Sequence, residues 1–315
     1  VYRQYIDSLP LIDRPDIFSM HENANIVFQM QETQKLLSTI LSVQPRVVSG
    51  GSEHKSESIV ADLARSILES LPEDLDKAEA GKDTFCRTSK GTMHSLATVL
   101  SHEMIRFNKL LRVIRSSLKE LLKAMDGLVV MSAELEKTFN SLLTDEVPEM
   151  WADVAYPSLK PLGSWIEDLK LRVDVMRQWL KKGLPTVFWI SGFFFPQGFL
   201  TGVLQTYARD HELPVDSLGF KFRVLDTDRI EDIHEGPESG VYIYGMYLDG
   251  ARWCPVRRTI MEATPGENTC RLPIVHFLPE KDHVIQDGYY DCPLYKTSVR
   301  KGVLSSLGQS TNFVI

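Results

Sequence analysis

Long hydrophobic runs, paired cysteines, a basic excess and short catalytic signatures are all scarce or missing in this chain of 315 residues. The longest nearly apolar run, residues 186–195, is about half of what a membrane-spanning helix needs, so no membrane contact is expected. Cys86, Cys254, Cys270 and Cys292 are widely spaced, and no CxxC occurs. Scattered cysteines in a protein this long read as reduced thiols of the cytosol; two disulfides in a secreted protein are the weaker alternative. No signal-peptide layout follows Val1, and a first residue other than Met suggests a chain that starts inside something larger or was processed. The 35 basic side chains are outnumbered by 42 acidic ones, for a formal charge of -7. Nucleic acid, anionic membranes and other acidic polymers are repelled by that sign.

Catalytic signatures fail residue by residue. A phosphate loop needs glycines, then Lys and a hydroxyl for Mg²⁺. Gly81-Lys82-Asp83-Thr84 places Asp83 where the hydroxyl belongs and Asp76 where the first glycine should be, so it reads as a solvated turn. His102-Glu103-Met-Ile-Arg106 begins like a zinc-protease helix, but Arg106 falls at the second ligand, which favours a surface ion pair between Glu103 and Arg106. Ser191, in Trp-Ile-Ser-Gly-Phe, lacks the leading glycine of a nucleophile elbow. His276 lies in an apolar strand pattern and reads as a hydrogen-bonded core histidine, although a hydrolase around Ser191 and His276 stays open as an alternative. Asp226, Asp228, Glu231 and Asp232 do not have EF-hand spacing and read as a solvated acidic loop.

What is present is pattern. Ile26, Met30, Thr33, Leu37 and Ile40-Leu41 recur at helical spacing until Pro45, and Ser49-Gly-Gly-Ser52 reads as a joint. Ile59, Leu63, Ile67 and Leu71 form a second stripe, stopped by Pro72, and residues 73–92 read as a surface loop with one short helix. The strongest signal is Leu100, Met104, Phe107, Leu111, Ile114, Leu118, Leu121 and Met125, an unbroken a/d stripe ended by Gly127. A helix over residues 94–124 spans roughly 45 Å. Leu128, Met131, Leu135 and Phe139 suggest a shorter helix folding back. Trp165, Leu169, Val173, Met176 and Leu180 mark another, ended by Gly183, and residues 199–209 suggest one more. Beyond Pro214, alternating runs at Phe220, Phe222 and Val224, at residues 241–248, 272–278 and 294–297, and at 312–315 favour an antiparallel sheet or barrel.

Residues 183–205 gather Phe188, Trp189, Phe193, Phe194, Phe195 and Phe199 around four glycines and two prolines, implying a buried corner where two layers meet. Core packing is its favoured meaning; a partner groove lined by part of Phe193-Phe-Phe195 is the sharper one. The long helix presents the same choice for Phe107, Leu111, Ile114 and Leu118: its own neighbours, or a larger body.

With Tyr156-Pro-Ser-Leu-Lys-Pro-Leu162 before the corner and Ser310-Thr-Asn-Phe-Val314 after it, the sequence resembles the C-terminal region of a dynein heavy chain, of the axonemal kind. The resemblance runs in order through Met20-His-Glu-Asn-Ala-Asn-Ile26, Glu103-Met-Ile-Arg-Phe-Asn108, Val129-Val-Met-Ser132, Pro214-Val-Asp-Ser-Leu218, Gly250-Ala-Arg-Trp253 and Cys292-Pro-Leu-Tyr-Lys-Thr297. Ser19, Gln309 and Cys254 depart from the family's usual glycine, histidine and acidic residue. The sequence also stops at Ile315, before the family's usual last strand region, so a barrel built from it is expected to lack an edge.

The resemblance implies an α+β fold: an N-terminal α-helical layer with one long helix, followed by an incomplete antiparallel β-barrel. It implies the end of the last AAA module over residues 1–45, the helical part of the C-terminal domain over 46–184 and the β-rich part over 185–315. The implied role is non-catalytic: bracing the AAA ring and modulating ATP-driven motility, with no cofactor here and ATP and Mg in earlier modules. Implied partners are the AAA ring modules of the same heavy chain and, through it, dynein intermediate and light chains, in the cytoplasm and the axoneme of cilia and flagella. An adaptor binding a ciliary protein is the alternative.

Overall fold

The computed structural model describes residues 2–8, 22–43, 53–86 and 94–281. The expected strands at 294–297 and 312–315, the stop at Pro45, the joint at 49–52, Cys292 and part of the Met20–Ile26 motif lie outside them. Two compact units result, Val1–Val48 with Tyr247–Arg271, and Ser49–Met246 with Leu272–Ile315.

The larger unit is organised by its longest helix. Helices α3 (Glu53–Ser70), α4 (Ser95–Met125), α5 (Ala133–Leu143), α6 (Glu149–Ala152) and α7 (Leu162–Lys182) precede strand β1 (Val187–Trp189), and α8 (Pro196–His211) follows it. The a/d stripe of α4 is buried from Leu100 to Leu121, with Phe107, Leu111, Ile114 and Leu118 fully enclosed. His94 starts the helix by accepting from Leu96 N–H through Nδ1 at 3.3 Å. Gly202 of α8 lies against α4 so closely that a Cβ there would meet Val99 Cγ2 at 2.8 Å. Trp151 on α6 donates from Nε1 to the buried Ser117 Oγ at 2.8 Å, tying α6 to the middle of α4. On α7 the expected face of Trp165, Leu169, Val173, Met176 and Leu180 is buried, and Gly183 ends the helix at φ 88°.

Two expectations shift. On α3 the buried face is Val60, Ala64, Ile67 and Leu71, while Ile59 is exposed; the helix rotates its small residues against its neighbours. Helix α5 starts only at Ala133, capped by Ser132, and leaves Leu128 and Met131 in an exposed turn. The stretch read as a loop is also more firmly held than its polarity suggests. Leu75 is buried, and its N–H and C=O both bond to Asn108, at 2.7 and 2.8 Å. Asp74 receives Arg112 and Arg115, whose hydrogen bonds outweigh burial and hold its carboxyl below its ordinary value.

The α+β class is what the structure shows: helices first, then strands in small sheets. The larger unit contains β1, β2 (Leu218–Val224), β3 (Val241–Tyr244) and β8 (Val275–Lys281) in the order β1-β3-β8-β2. Strand β8 pairs antiparallel with β2 from Val224↔Val275 to Leu218↔Lys281, and with β3. Its alternation buries Val275 and Phe277 with period two. The sheet differs from a purely antiparallel one in a single pairing, β1 alongside β3 in parallel, because α8 and β2 intervene and leave room for a crossover. Among the described residues no closed barrel forms. The backbone leaves the sheet after Met246 and returns at Leu272, whose N–H donates to Met246 O at 3.0 Å.

The smaller unit contains α1 (Tyr2–Ser8) and α2 (Glu22–Val43), with β4 (Tyr247–Asp249) paired to β7 (Thr269–Arg271) and β5 (Ala251–Cys254) to β6 (Thr259–Glu262). Asn23 binds the turn before β7: Nδ2 donates to Glu267 O at 3.0 Å, and Oδ1 accepts from Gly266 N–H at 2.8 Å.

Ile114→Ala is expected to lower stability by about 2–5 kcal/mol, because it opens a cavity in the enclosed face of α4. Ile105→Ala, on the exposed face of the same helix, should stay within about 0.5 kcal/mol. Denaturant unfolding of the two variants compares them directly.

Candidate functional site

Glu103 gives the aromatic corner its geometry. Its side chain is 1% exposed on α4, and its carboxylate accepts the N–H groups of Phe194 and Phe195, the latter at 3.1 Å. Those groups sit at the start of α8, where orphan donors and the helix dipole both favour a negative charge. Arg106 pairs with Glu103 at 3.3 Å and places its guanidinium 5.1 Å from the centre of the Phe195 ring. The expected surface ion pair is therefore corrected: the pair exists, but its carboxylate is inside. Burial pushes the Glu103 carboxyl above its ordinary value, against the opposing pull of the two N–H donors and Arg106.

Around this anchor the rings form two groups. Phe193, Phe199, Phe188 and Trp179 pack together, with Phe193 stacked on Phe199 at 4.3 Å. Phe194 meets Phe107 edge-on at 5.3 Å and Tyr156 at 5.8 Å, and Tyr156 stacks on Trp165, which stacks on Trp151. Phe193, Phe199, Phe107, Leu111, Ile114 and Leu118 thus lie in the interior of their own unit, Phe194 is half-buried, and Phe195 is exposed.

A second polar pin fixes β1 to α7. Asp168 and Arg172, both buried, pair at 2.7 Å, and Lys160 reaches the other oxygen of Asp168 at 3.1 Å. Arg172 also donates to the carbonyl of Ser191 and lies 3.9 Å over the Tyr156 ring. The Tyr156 hydroxyl is driven well above its ordinary pKa by this burial.

The residues screened for chemistry have structural tasks. Ser191 is fully buried, and its hydroxyl donates to Gly245 O at 3.4 Å. His276 Nε2 bonds Ser239 O at 2.8 Å, but the side chain is half-buried on β8 and does not sit in the core. Gly81-Lys82-Asp83-Thr84 is a turn, but it docks on the end of α7: Gly81 N–H and the Thr84 hydroxyl both donate to Leu180 O at 2.9 Å. In the acidic loop the Thr227 hydroxyl donates to Asp232 at 2.6 Å. Among the described residues no three His, Cys, Asp or Glu side chains converge as a metal site would require. No membrane-length apolar helix occurs among them either.

What this arrangement provides is an aromatic corner pinned by buried charges, and sequence comparison says to which family it belongs. The family of the C-terminal domain of dynein heavy chains matches residues 30–315. The protein belongs to that family. This dynein C-terminal domain is 47% identical to dynein axonemal heavy chain 6 of Homo sapiens over all of its length, covering 8% of that protein. It is 46% identical to dynein axonemal heavy chain 1 and 44% identical to dynein axonemal heavy chain 3, both of Mus musculus, again over its full length and covering 7% and 8% of them. It therefore spans less than a tenth of the length of these three relatives.

Sequence reasoning missed the buried roles of Glu103, Asp168 and Arg172. For two of them a signal was present. Glu103 lies three residues after Leu100 and four before Phe107, and Arg172 three after Leu169 and four before Met176; both are charges set inside an apolar stripe.

For this dynein domain, Glu103→Ala is expected to cost about 1–3 kcal/mol by stranding two buried donors. Glu103→Gln tests the charge. Because the folded pKa lies above the ordinary 4.5, the folded state holds the proton more tightly. Stability conferred at this position is complete below the unfolded pKa and falls as pH rises through the folded one. Across that acid window the urea midpoint of the wild type is expected to fall relative to that of Glu103→Gln as pH rises, the lowered Asp74 carboxyl contributing equally to both.

Proposed function

We propose that this protein is the C-terminal domain of an axonemal dynein heavy chain, a non-catalytic element that braces the AAA ring and modulates ATP-driven, minus-end-directed microtubule motility in cilia and flagella. The observation that carries the reading is the family match over residues 30–315 together with 44–47% identity along the whole sequence to axonemal heavy chains. The partners are the AAA ring modules of the same polypeptide, with intermediate and light chains reached through the rest of the motor and the microtubule touched only indirectly. ATP and Mg belong to earlier modules, and this region binds neither.

The physical case for a mechanical role is the stiffness of the larger unit. A helix of 31 residues is tied to its surroundings through Glu103, Asn108, Arg112, Arg115 and Ser117, which reach Phe195, Leu75, Asp74 and Trp151. Such a body transmits a displacement, and it biases a motor cycle only if its docking energy differs between ring states.

Removal of residues 46–315 from the full heavy chain is expected to change gliding velocity or stall force while leaving nucleotide binding elsewhere in the motor intact. Microtubule gliding and optical-trap assays read this; unchanged velocity and force would overturn the modulatory role. MgATP titrated calorimetrically into the 315-residue protein should give no binding heat.

A further inference from the structure

Leu128, Val129, Val130 and Met131, four large apolar residues in a row, stand 74%, 45%, 87% and 40% exposed in the turn between α4 and α5. Single apolar residues at a surface are ordinary, whereas a consecutive run of this kind is a fault unless it has a function. The turn is built at both ends. Gly127, at φ 72°, closes α4 in a Schellman arrangement: its N–H donates to Ala124 O at 3.1 Å and that of Leu128 to Lys123 O at 2.9 Å. Ser132 Oγ accepts from Leu135 N–H at 3.2 Å and starts α5.

Helix ends of these two kinds usually give the flanking apolar residue a local task. After a Schellman glycine it packs back on the last turn, and before an N-cap it staples to the fourth helical residue. Leu128 is instead three-quarters exposed. The staple position for Met131 holds Glu136, a carboxylate with no apolar face to offer. The turn thus leaves Leu128 and Val130 largely uncovered and Val129 and Met131 covered only in part.

We propose that residues 128–131 form a docking plug that enters an apolar recess on a preceding part of the same heavy chain. The inference rests on the reading of this protein as the C-terminal domain of a longer motor. Length argues for that occupant: the relatives at 44–47% identity continue far beyond the 7–8% of them that is covered here. Scale argues for it too. Four side chains cannot supply the roughly 1,200 Å² of a stable interface between separate molecules. For a tethered partner the effective concentration is in the millimolar range, and a small plug suffices. The charge of -7 disfavours insertion into an anionic membrane.

In the full-length heavy chain, benzoylphenylalanine placed at position 130 and irradiated is expected to cross-link to residues N-terminal to Val1 of the same polypeptide, as mapped by mass spectrometry. Cross-links only to another protein, to a second copy or to lipid, or no cross-link at all, would overturn the plug. Val130→Asp in the same heavy chain should reproduce at least half of the change in gliding velocity caused by deleting the whole region, and Val130→Ser should act in the same direction. A deletion that alters motility while both Val130 variants leave it untouched rejects the plug and keeps the proposed function. A deletion without effect rejects the function itself, whatever position 130 touches.

Discussion

Two backbone N–H groups at the start of α8 have to be satisfied inside an aromatic core, and the carboxylate of Glu103 does it from another helix. The Phe194 and Phe195 amides are part-buried where the backbone turns from the strand into α8, and Pro196 removes the next donor altogether. A carboxylate offers acceptor sites to both at once, and the α8 dipole favours its charge. Once α4 holds that corner, Phe193 and Phe199 are placed to stack, Phe194 meets Phe107 and Tyr156, and α8 approaches α4 closely enough to require Gly202. The arrangement of rings follows from where one charge is anchored.

The Asp168–Arg172 pair repeats the logic at β1. A buried ion pair contributes little net stability, because desolvating both charges offsets most of their attraction. Its value is in direction. Arg172 is held through Nε by Asp168 on its own helix, which directs Nη1 of its planar fork to the Ser191 carbonyl, while its face covers Tyr156. An apolar side chain in its place would pack as well but would not fix the register of the β1 strand end against α7. In this domain the buried polar groups position backbone and specify one packing among several, and apolar area supplies the bulk of the driving force.

Legibility in the sequence followed periodicity. The α4 and α7 stripes were readable because long runs of apolar residues at steps of three and four leave a helix little choice of face. The α3 stripe misled: Ile59 and Leu63 fit helical spacing, but Val60 and Ala64 fit it equally, and only packing decides between two adjacent faces. Strands β1, β4, β5, β6 and β7, of three or four residues, are too short for alternation to stand out, and whether β1 pairs in parallel depends on non-local contacts. Glu103 and Arg106 show the limit most plainly. Their spacing announces an ion pair, while the amides that make Glu103 a buried anchor lie 91 and 92 positions away. The identity of the family, by contrast, was carried by short ordered motifs, and the match over residues 30–315 agrees with them.

The same contrast explains why the turn at 128–131 differs from the rest of the larger unit. Elsewhere among its described residues a large apolar side chain that leaves the core does so singly, as Ile105 and Phe222 do. Four in succession stand partly or largely out of the core, and Leu128 and Val130, the most exposed of them, leave most of an ordinary burial free energy of about 1.5–3 kcal/mol each unused. A left-handed glycine and a serine cap hold them outward, so the exposure is specified by the backbone and does not result from a loose loop. The turn stands at the end of a 31-residue helix whose apolar stripe is buried. The turn is continuous with α4, the helix that also carries the Glu103 anchor, so a body that covers it bears on the element that holds the aromatic corner.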